Sequence, residues 1–311
     1  MTTTTSPTSF EQRLDEAALT RAMGLLWLLS AGLIALDGFD FFVIGVALPF
    51  LKRDFGLDAT TLGAVATAAV VGSLVGSLTL GPITDRVGRK PMLIVDVVLF
   101  VVATAGTALA WNAASLIGFR FLVGVAIGAD YPISVAYITE NVPARYRGRL
   151  VIGAFTFQAL GAMLGALTGV VVLHLFQVLY ADPELLAVQY AWRWMLGVGV
   201  ILAILVAAVR LSVQLESRRY YISRGEYEAA SKAASQLLGE AVLITADGEP
   251  PPETAPATLA TLFAPPHRRS TLLASLPWFL QDIATYGIGI FTPAIIAMLA
   301  LSTETNFMVR E

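Results

Sequence analysis

Residues 120–149 read RFLVGVAIGADYPISVAYITENVPARYRGR, the core of an apolar segment long enough to cross a bilayer, ending in a knot of arginines. The apolar run extends from Ala114 to Thr139, about 26 residues, against the roughly 20 that span a hydrocarbon core about 30 Å thick. Asp130, Tyr131 and Pro132 sit near its middle. A carboxylate at that depth costs on the order of 3 kcal/mol unless it finds a partner or lines a wet cavity. A simple anchor has no use for such a residue. Pro132 removes one backbone donor beside the charge, while Gly124 and Gly128 form a small-xxx-small face along which another helix can approach. The segment is expected to present Asp130 and Tyr131 to a cavity between helices. The competing reading is a kinked helix whose Asp130 is neutralised by a structural neighbour.

The rest of the chain has the same character. Of its 311 residues 56% are hydrophobic and 14% charged, against about 25% charged in soluble domains. Apolar runs fall at about 22–50, 60–82, 91–111, 114–139, 150–173, 192–214 and 271–300. An all-α membrane protein follows, with no room for a soluble catalytic domain. With the N-terminus in the cytoplasm, the inner side receives Arg13, Arg21, Arg86, Arg89, Lys90, Arg145, Arg147, Arg149, Arg210, Arg218, Arg219, Arg224, Lys232, Arg268 and Arg269. Lys52, Arg53, Arg193 and Arg310 fall outside, and Arg120 lies within a span. The positive-inside rule therefore predicts a cytoplasmic N-terminus. Residues 1–21 read as a cytoplasmic tail without the basic start of a cleaved signal peptide. The absence of cysteine excludes thiol chemistry and disulfides.

Polar residues inside the spans mark candidate sites. Asp37 and Asp40 lie three apart on one face of span one. Arg120, toward the outer end of span four, is read either as snorkelling to the interface or as linked to protonation. Gln158 is a strong amide in apolar span five, either helix glue or a ligand contact. Residues 174–191 are expected as an external loop with Asp182 and Glu184. In span seven, Trp278, Asp282 and Tyr286 recur every four residues and share one face. Between spans two and three, residues 81–90 read GPITDRVGRK. Gly81, Pro82 and Gly88 predict a tight turn, with Asp85, Arg86, Arg89 and Lys90 pairing among themselves or with helix ends. Residues 215–270 read as a cytoplasmic linker, an amphipathic helix over 224–238 followed by a Pro- and Thr-rich connector, largely solvated.

The 81–90 loop resembles the signature between the second and third helices of the major facilitator superfamily. Glu140, Pro143, Arg145, Arg147 and Gly148 resemble the E-x-x-P-x-x-x-R-G signature of its sugar-porter and phosphate-symporter branches. Trp192-Arg193-Trp194 and Glu216-Ser217-Arg218 resemble further stretches of those branches, the latter without its prolines. Arg120 with Gly124 is similar to a fourth-helix motif of proton-coupled members. Asp130-Tyr131-Pro132, Gln158 and the Trp278, Asp282, Tyr286 row together resemble the phosphate:proton symporters. The Asp37-Gly-Phe-Asp40 stretch is also similar to aromatic-acid:proton symporters.

The resemblance implies a major facilitator fold, with residues 22–214 as the N-terminal six-helix bundle and 271–300 as the first helix of the second bundle. Residues 301–311 would then be the external end of a truncated chain. It implies proton-coupled alternating access in a multi-pass protein of the cell membrane. The expected cargo is phosphate first, a sugar, polyol or aromatic acid second. Asp37, Asp40, Asp282 and Arg120 are assigned to proton coupling, and Asp130, Tyr131, Gln158, Trp278 and Tyr286 to substrate. Gly81, Asp85, Arg86, Gly88, Arg89, Lys90, Glu140, Arg147, Glu216 and Arg218 are assigned to gating. The expected partners are a small solute, protons and lipid, with a monomeric chain and no cofactor, metal or nucleic acid. A non-transporting fragment or sensor is the rival reading; an enzyme is disfavoured because no H-E-x-x-H or G-x-S-x-G arrangement occurs.

Overall fold

The computed structural model describes residues 10–180, 183–212, 218–245, 259–292 and 295–296. Within its helices the side chains of Pro82, Asp85, Arg86, Arg89, Lys90, Pro183, Ser212, Arg219, Ser223 and Leu259 fall outside that description. Glu216 and Asp182 lie outside the described residues. The chain divides into two units, Met1–Pro251 and Pro252–Glu311.

In the first unit a short helix α1 (Phe10–Glu16) precedes five long ones: α2 (Arg21–Asp54), α3 (Ala59–Val87), α4 (Arg89–Ala108), α5 (Ala113–Asn141) and α6 (Ala144–Leu179). A single turn α7 (Pro183–Leu186) and a π-helical turn at Ala187–Ala191 lead into α8 (Trp192–Ser212). Among the described residues these six long segments are the ones apolar enough to cross a membrane. Their starts follow from local chemistry. Thr20 caps α2 by accepting from the Met23 amide, and Asp58 caps α3 by accepting from Thr61. Asn112 and Ser115 form a reciprocal capping box on α5. The Thr61 side chain and amide hold the Asp58 carboxyl below the usual carboxylate range. This cap is therefore intact at neutral pH and weakens on acidification.

Two boundaries differ from expectation. α3 runs unbroken through residues 81 and 82 to Val87, so the predicted ten-residue turn shrinks to Gly88 alone. Gly88 has φ +107°, a conformation that favours glycine, and a Cβ there would approach the Tyr220 ring to 2.8 Å. α6 continues to Leu179, which reduces the expected loop 174–191 to a few residues before α7.

α5 packs on α4, α4 on α8, α8 on α2 and α2 back on α5, while α3 packs against α5 and α6 against α2. Glycine sets the closest seams. A Cβ at Gly124 or Gly128 would overlap the carbonyls of Ala69 or Ser73, and one at Gly72 or Gly76 those of Phe121 or Val125. The small-residue face of α5 thus meets a matching face on α3. Gly38 against Gln158, and Gly161 against Ala35, seat α2 on α6 in the same way.

The described tail and the linker residues 218–244 pack on the bundle. α9 (Arg218–Ser223), α10 (Tyr227–Leu238) and residues Val242 and Ile244 fold back onto α1 and the adjoining end of the bundle. Phe10, Leu14, Met23 and Leu26 share one core with Ile222, Ala230, Ala234, Leu237, Val242 and Ile244. The Ser235 and Ser231 hydroxyls accept from the Val242 and Ile244 amides, both at 2.9 Å, and Thr20 donates to the Leu237 carbonyl at 2.7 Å. The expected solvated connector is corrected for residues 218–244. The alanine-rich face of α10 had a partner distant in sequence, and burying it removes apolar surface from water.

In the second unit α11 (Leu259–Leu262) precedes α12 (Pro265–Gly289). α12 covers most of the expected seventh span but is not among the six apolar segments, consistent with its content of Arg268, Arg269, Gln281 and Asp282.

Gly128→Val tests the α3–α5 seam. A branched side chain against the Ser73 carbonyl forces the helices apart, at a cost of about 1–3 kcal/mol or more. A clearly lowered thermal midpoint in detergent is expected, whereas Gly118→Val, where a Cβ meets nothing within 4 Å, leaves it near the parent value.

Candidate functional site

The interior of the first unit holds the polar residues singled out from sequence. Among the described residues Asp37, Asp40, Asp96 and Asp130 are buried, as are Arg120 and Arg210. Arg120 is wholly enclosed, and its Nη1 pairs with Asp40 Oδ2 across the α2–α5 contact. The interface-snorkelling alternative for Arg120 is thereby corrected. Its long side chain turns inward because a buried carboxylate stands within reach. Arg120 Nε and Nη2 have no hydrogen-bond partner among the described residues, so the guanidinium depends on Asp40 for compensation.

Ten residues along α5, about 15 Å at 1.5 Å per residue, Asp130 forms a second centre. Ser134 donates to its Oδ1 at 3.0 Å, and Arg210 Nη1 of α8 lies 3.6 Å from the same oxygen. Asp37 feels the charges of Asp130, Asp96, Asp40 and Arg210, and Asp96 those of Asp130 and Arg210. The two centres are therefore electrostatically linked through Asp37 in one buried network on α2, α4, α5 and α8.

Sequence reasoning missed two members. Asp96 lies inside the third apolar run and was open to the argument applied to Asp130. Arg210 was counted with the surface basic residues, although it falls inside the run 192–214.

The remaining candidates divide between the two units. Tyr131 is half-buried and stacks on Phe155 of α6, with ring centroids 5.6 Å apart and planes 24° from parallel. Gln158 is half-buried on α6, its backbone carbonyl against Gly38, the residue after Asp37. Trp278, Asp282 and Tyr286 lie on α12 in the second unit, with Trp278 51% exposed. Their every-fourth-residue spacing on a continuous helix puts them along one stripe.

Of the residues expected to gate, Arg147 and Arg218 lie where α1 meets the bundle. Arg147 donates from Nε to the Val142 carbonyl at 3.2 Å, and its Nη2 lies 3.8 Å from Asp15. Asp15 also accepts from the Ala144 amide at 2.8 Å, an anion at the start of α6. Arg218 lies over the Phe10 ring at 3.9 Å and 4.0 Å from Glu11. Gly81 lies within α3, Gly88 forms the helix break, and Glu140 is half-buried near the end of α5. Glu216 and the side chains of Asp85, Arg86, Arg89 and Lys90 lie outside the description.

At the opposite end Trp192 is buried and donates to Asp54 at 2.9 Å. Arg193 lies 4.1 Å over the Trp192 ring and donates to the Ala108 and Ala110 carbonyls. The Trp-Arg-Trp stretch is thus a tie between α2, α4 and α8.

The chain is similar to known proteins in sequence and fold. The family model described as "Sugar (and other) transporter" matches residues 27–307. The 4-hydroxybenzoate transporter PcaK of Pseudomonas aeruginosa is 29% identical over 94% of the chain and 64% of its own length. The niacin transporter NiaP of Acinetobacter baylyi is 27% identical over 91% of the chain and 62% of its own length. The chain spans less than two thirds of the length of these relatives. A solved structure of the xylose transporter XylE from Escherichia coli, partially occluded and inward open, superposes with a TM-score of 0.70 at 21% identity. It covers 89% of this chain and 65% of that one, and the likeness identifies the major facilitator fold.

Asp40→Asn tests the first centre. It leaves Arg120 buried without a counter-charge, a loss of about 3–5 kcal/mol by comparison with other broken buried pairs. Asp37→Asn removes a carboxylate whose Oδ2 accepts no hydrogen bond among the described residues. The Asp40 variant is expected to melt well below the Asp37 variant in detergent.

Proposed function

The chain belongs to the sugar (and other) transporter family, a multi-pass membrane protein of major facilitator fold, and from that premise we propose proton-coupled uptake of a small polar organic solute by alternating access. The observation that carries the proposal is the buried network in which four aspartates face two arginines. Such a set is hard to retain in an apolar bundle unless protons or a ligand complete its charge balance.

In this reading a proton reaches Asp40 or Asp37 from one side of the membrane. Protonating Asp40 frees Arg120 from its partner, and the uncompensated guanidinium favours a rearranged bundle. The proton is released when the cavity opens to the other side. Asp130, Tyr131 and Gln158 are the cargo residues of the first unit, and Trp278 and Tyr286 those of α12 in the second. Asp282 is the second proton carrier. Asp85 with its neighbouring basic residues, Glu140, Arg147, Glu216 and Arg218 act as the latch. The N-terminus is placed in the cytoplasm.

The first cargo class is a hydroxylated or heteroaromatic monocarboxylate, supported by the relatives named for 4-hydroxybenzoate and niacin. Carboxylates can accept its hydroxyl, and Gln158 and Tyr131 can donate to its own carboxylate. A sugar is the second reading, supported by the family's description. Phosphate, the first expectation from the residues, finds no support in the relatives named here.

Uptake of labelled 4-hydroxybenzoate, nicotinate, a hexose and phosphate into cells expressing the chain as its gene encodes it separates these cargoes. Aromatic acid accumulation that collapses with the proton gradient is expected. Transport of none of the four, with the protein present in the membrane, defeats the proposal in favour of a sensor.

Asp282→Asn provides a finer test. It should abolish gradient-driven accumulation while leaving exchange between equal pools, because exchange moves no net proton. A reporter fused after Arg219 should be cytoplasmic; an external reporter reverses the orientation.

A further inference from the structure

Arg210 is two residues from the end of α8, close enough for an arginine to extend toward water. It is instead 9% exposed and turned into the bundle. Its Nη1 lies 3.6 Å from Asp130 Oδ1, within reach of Coulomb attraction but beyond hydrogen-bond length, and that nitrogen makes no hydrogen bond among the described residues. The guanidinium is therefore near Asp130 without being committed to it.

Around it stand more carboxylates than one arginine can balance. Asp37 comes from α2, Asp96 from α4 and Asp130 from α5, and each is buried. Asp37 Oδ2, Asp96 Oδ1 and Asp130 Oδ2 accept no hydrogen bond among the described residues. Of the other charged groups in the network, Asp40 is paired with Arg120 Nη1, and Arg120 Nε and Nη2 donate to none of these acids among the described residues. Ser134 supplies a hydroxyl that donates to Asp130. Three buried acids thus share one cation. Arg210 reaches the charges of both Asp37 and Asp96 as well as that of Asp130.

We infer that Arg210 is the common counter-ion of Asp37, Asp96 and Asp130, a positioning residue that fixes which of the three bears a charge while cargo is held at Asp130. When cargo or a proton engages Asp130, Arg210 remains close enough to compensate Asp96 or Asp37, so the cluster avoids an unbalanced charge in either state. Asp96 is the alternative partner and has no cargo contact in this scheme. The transport part of the inference rests on the proposed function; the charge-balance part does not.

The experiment compares Arg210→Gln, Arg210→Lys, Asp96→Asn and the double variant Arg210→Gln/Asp96→Asn in the chain as its gene encodes it. Thermal midpoint in detergent and cargo uptake are both measured. Arg210→Gln should lower the midpoint by roughly 10 °C, in keeping with the loss of one partner from a buried charge cluster. Arg210→Lys should lower it less. Adding Asp96→Asn should restore at least half of the loss, because removing one carboxylate offsets the missing cation. Uptake should fall at least tenfold in Arg210→Gln and recover in part in the double variant.

A simple strut between α8 and α5 predicts the opposite: removing Asp96 as well leaves the midpoint as low or lower, and that result overturns the inference. Should Arg210→Gln fail to fold, Asp96→Asn alone decides. The counter-ion role requires its midpoint to equal or exceed the parent value, and a clear decrease overturns it. Restored stability in the double variant with no uptake in any form, parent included, sustains the counter-ion role and defeats the transporter reading instead.

Discussion

The structure depends on how a bundle poor in water accommodates buried charge. Arg120 and Asp40 are enclosed together where α2 crosses α5, and Arg120 Nε and Nη2 make no other hydrogen bond among the described residues. Separating the helices there exposes an ion to apolar surroundings, which is far more costly than losing an equal area of apolar contact. That pair fixes the two central helices against each other. Asp37, one helical turn before Asp40, and Asp130, farther along α5, are brought into the same interior by the same crossing.

Close approach of the helices makes this possible. Buried ion pairing demands short distances between backbones, and the glycine seams supply them. Gly124 and Gly128 bring α5 onto α3, while Gly38, Gly161 and Gly165 bring α2 onto α6. Without a Cβ at these positions the outer helices seat tightly, leaving the polar side chains of α2 and α5 to face one another and the arginine of α8. The packing that confers stability and the network proposed to couple protons thus use the same two helices.

At the end where α1 lies, the chemistry changes from buried ion pairing to partly solvated contacts. Arg147 is 37% exposed at its side chain and Asp15 47%, so their attraction is screened and worth about 1 kcal/mol or less. What fastens α1 there is the burial of Phe10 and Leu14 with Ile222, Ala230 and Ala234. Weak pairs on an apolar seat suit a contact that forms and breaks during a cycle better than a buried pair does.

Sequence alone determined the membrane class, the six long helices and nearly all the buried acids, because an apolar run of that length has one stable use and a carboxylate inside it stands out against its neighbours. Asp37, Asp40 and Asp130 were legible for that reason, as was the small-residue face of α5. Only the tertiary structure decided partnership. A charge pattern along one helix does not say which helix faces it, so Arg120 could be read as snorkelling and Arg210 as a surface residue, while both turn inward toward acids from other helices. The same limit applied to α10. Its apolar face was visible in the sequence, but the residues that cover it lie more than 200 positions earlier, with Thr20 bonded to Leu237, and contacts of that separation are set by packing rather than by local pattern.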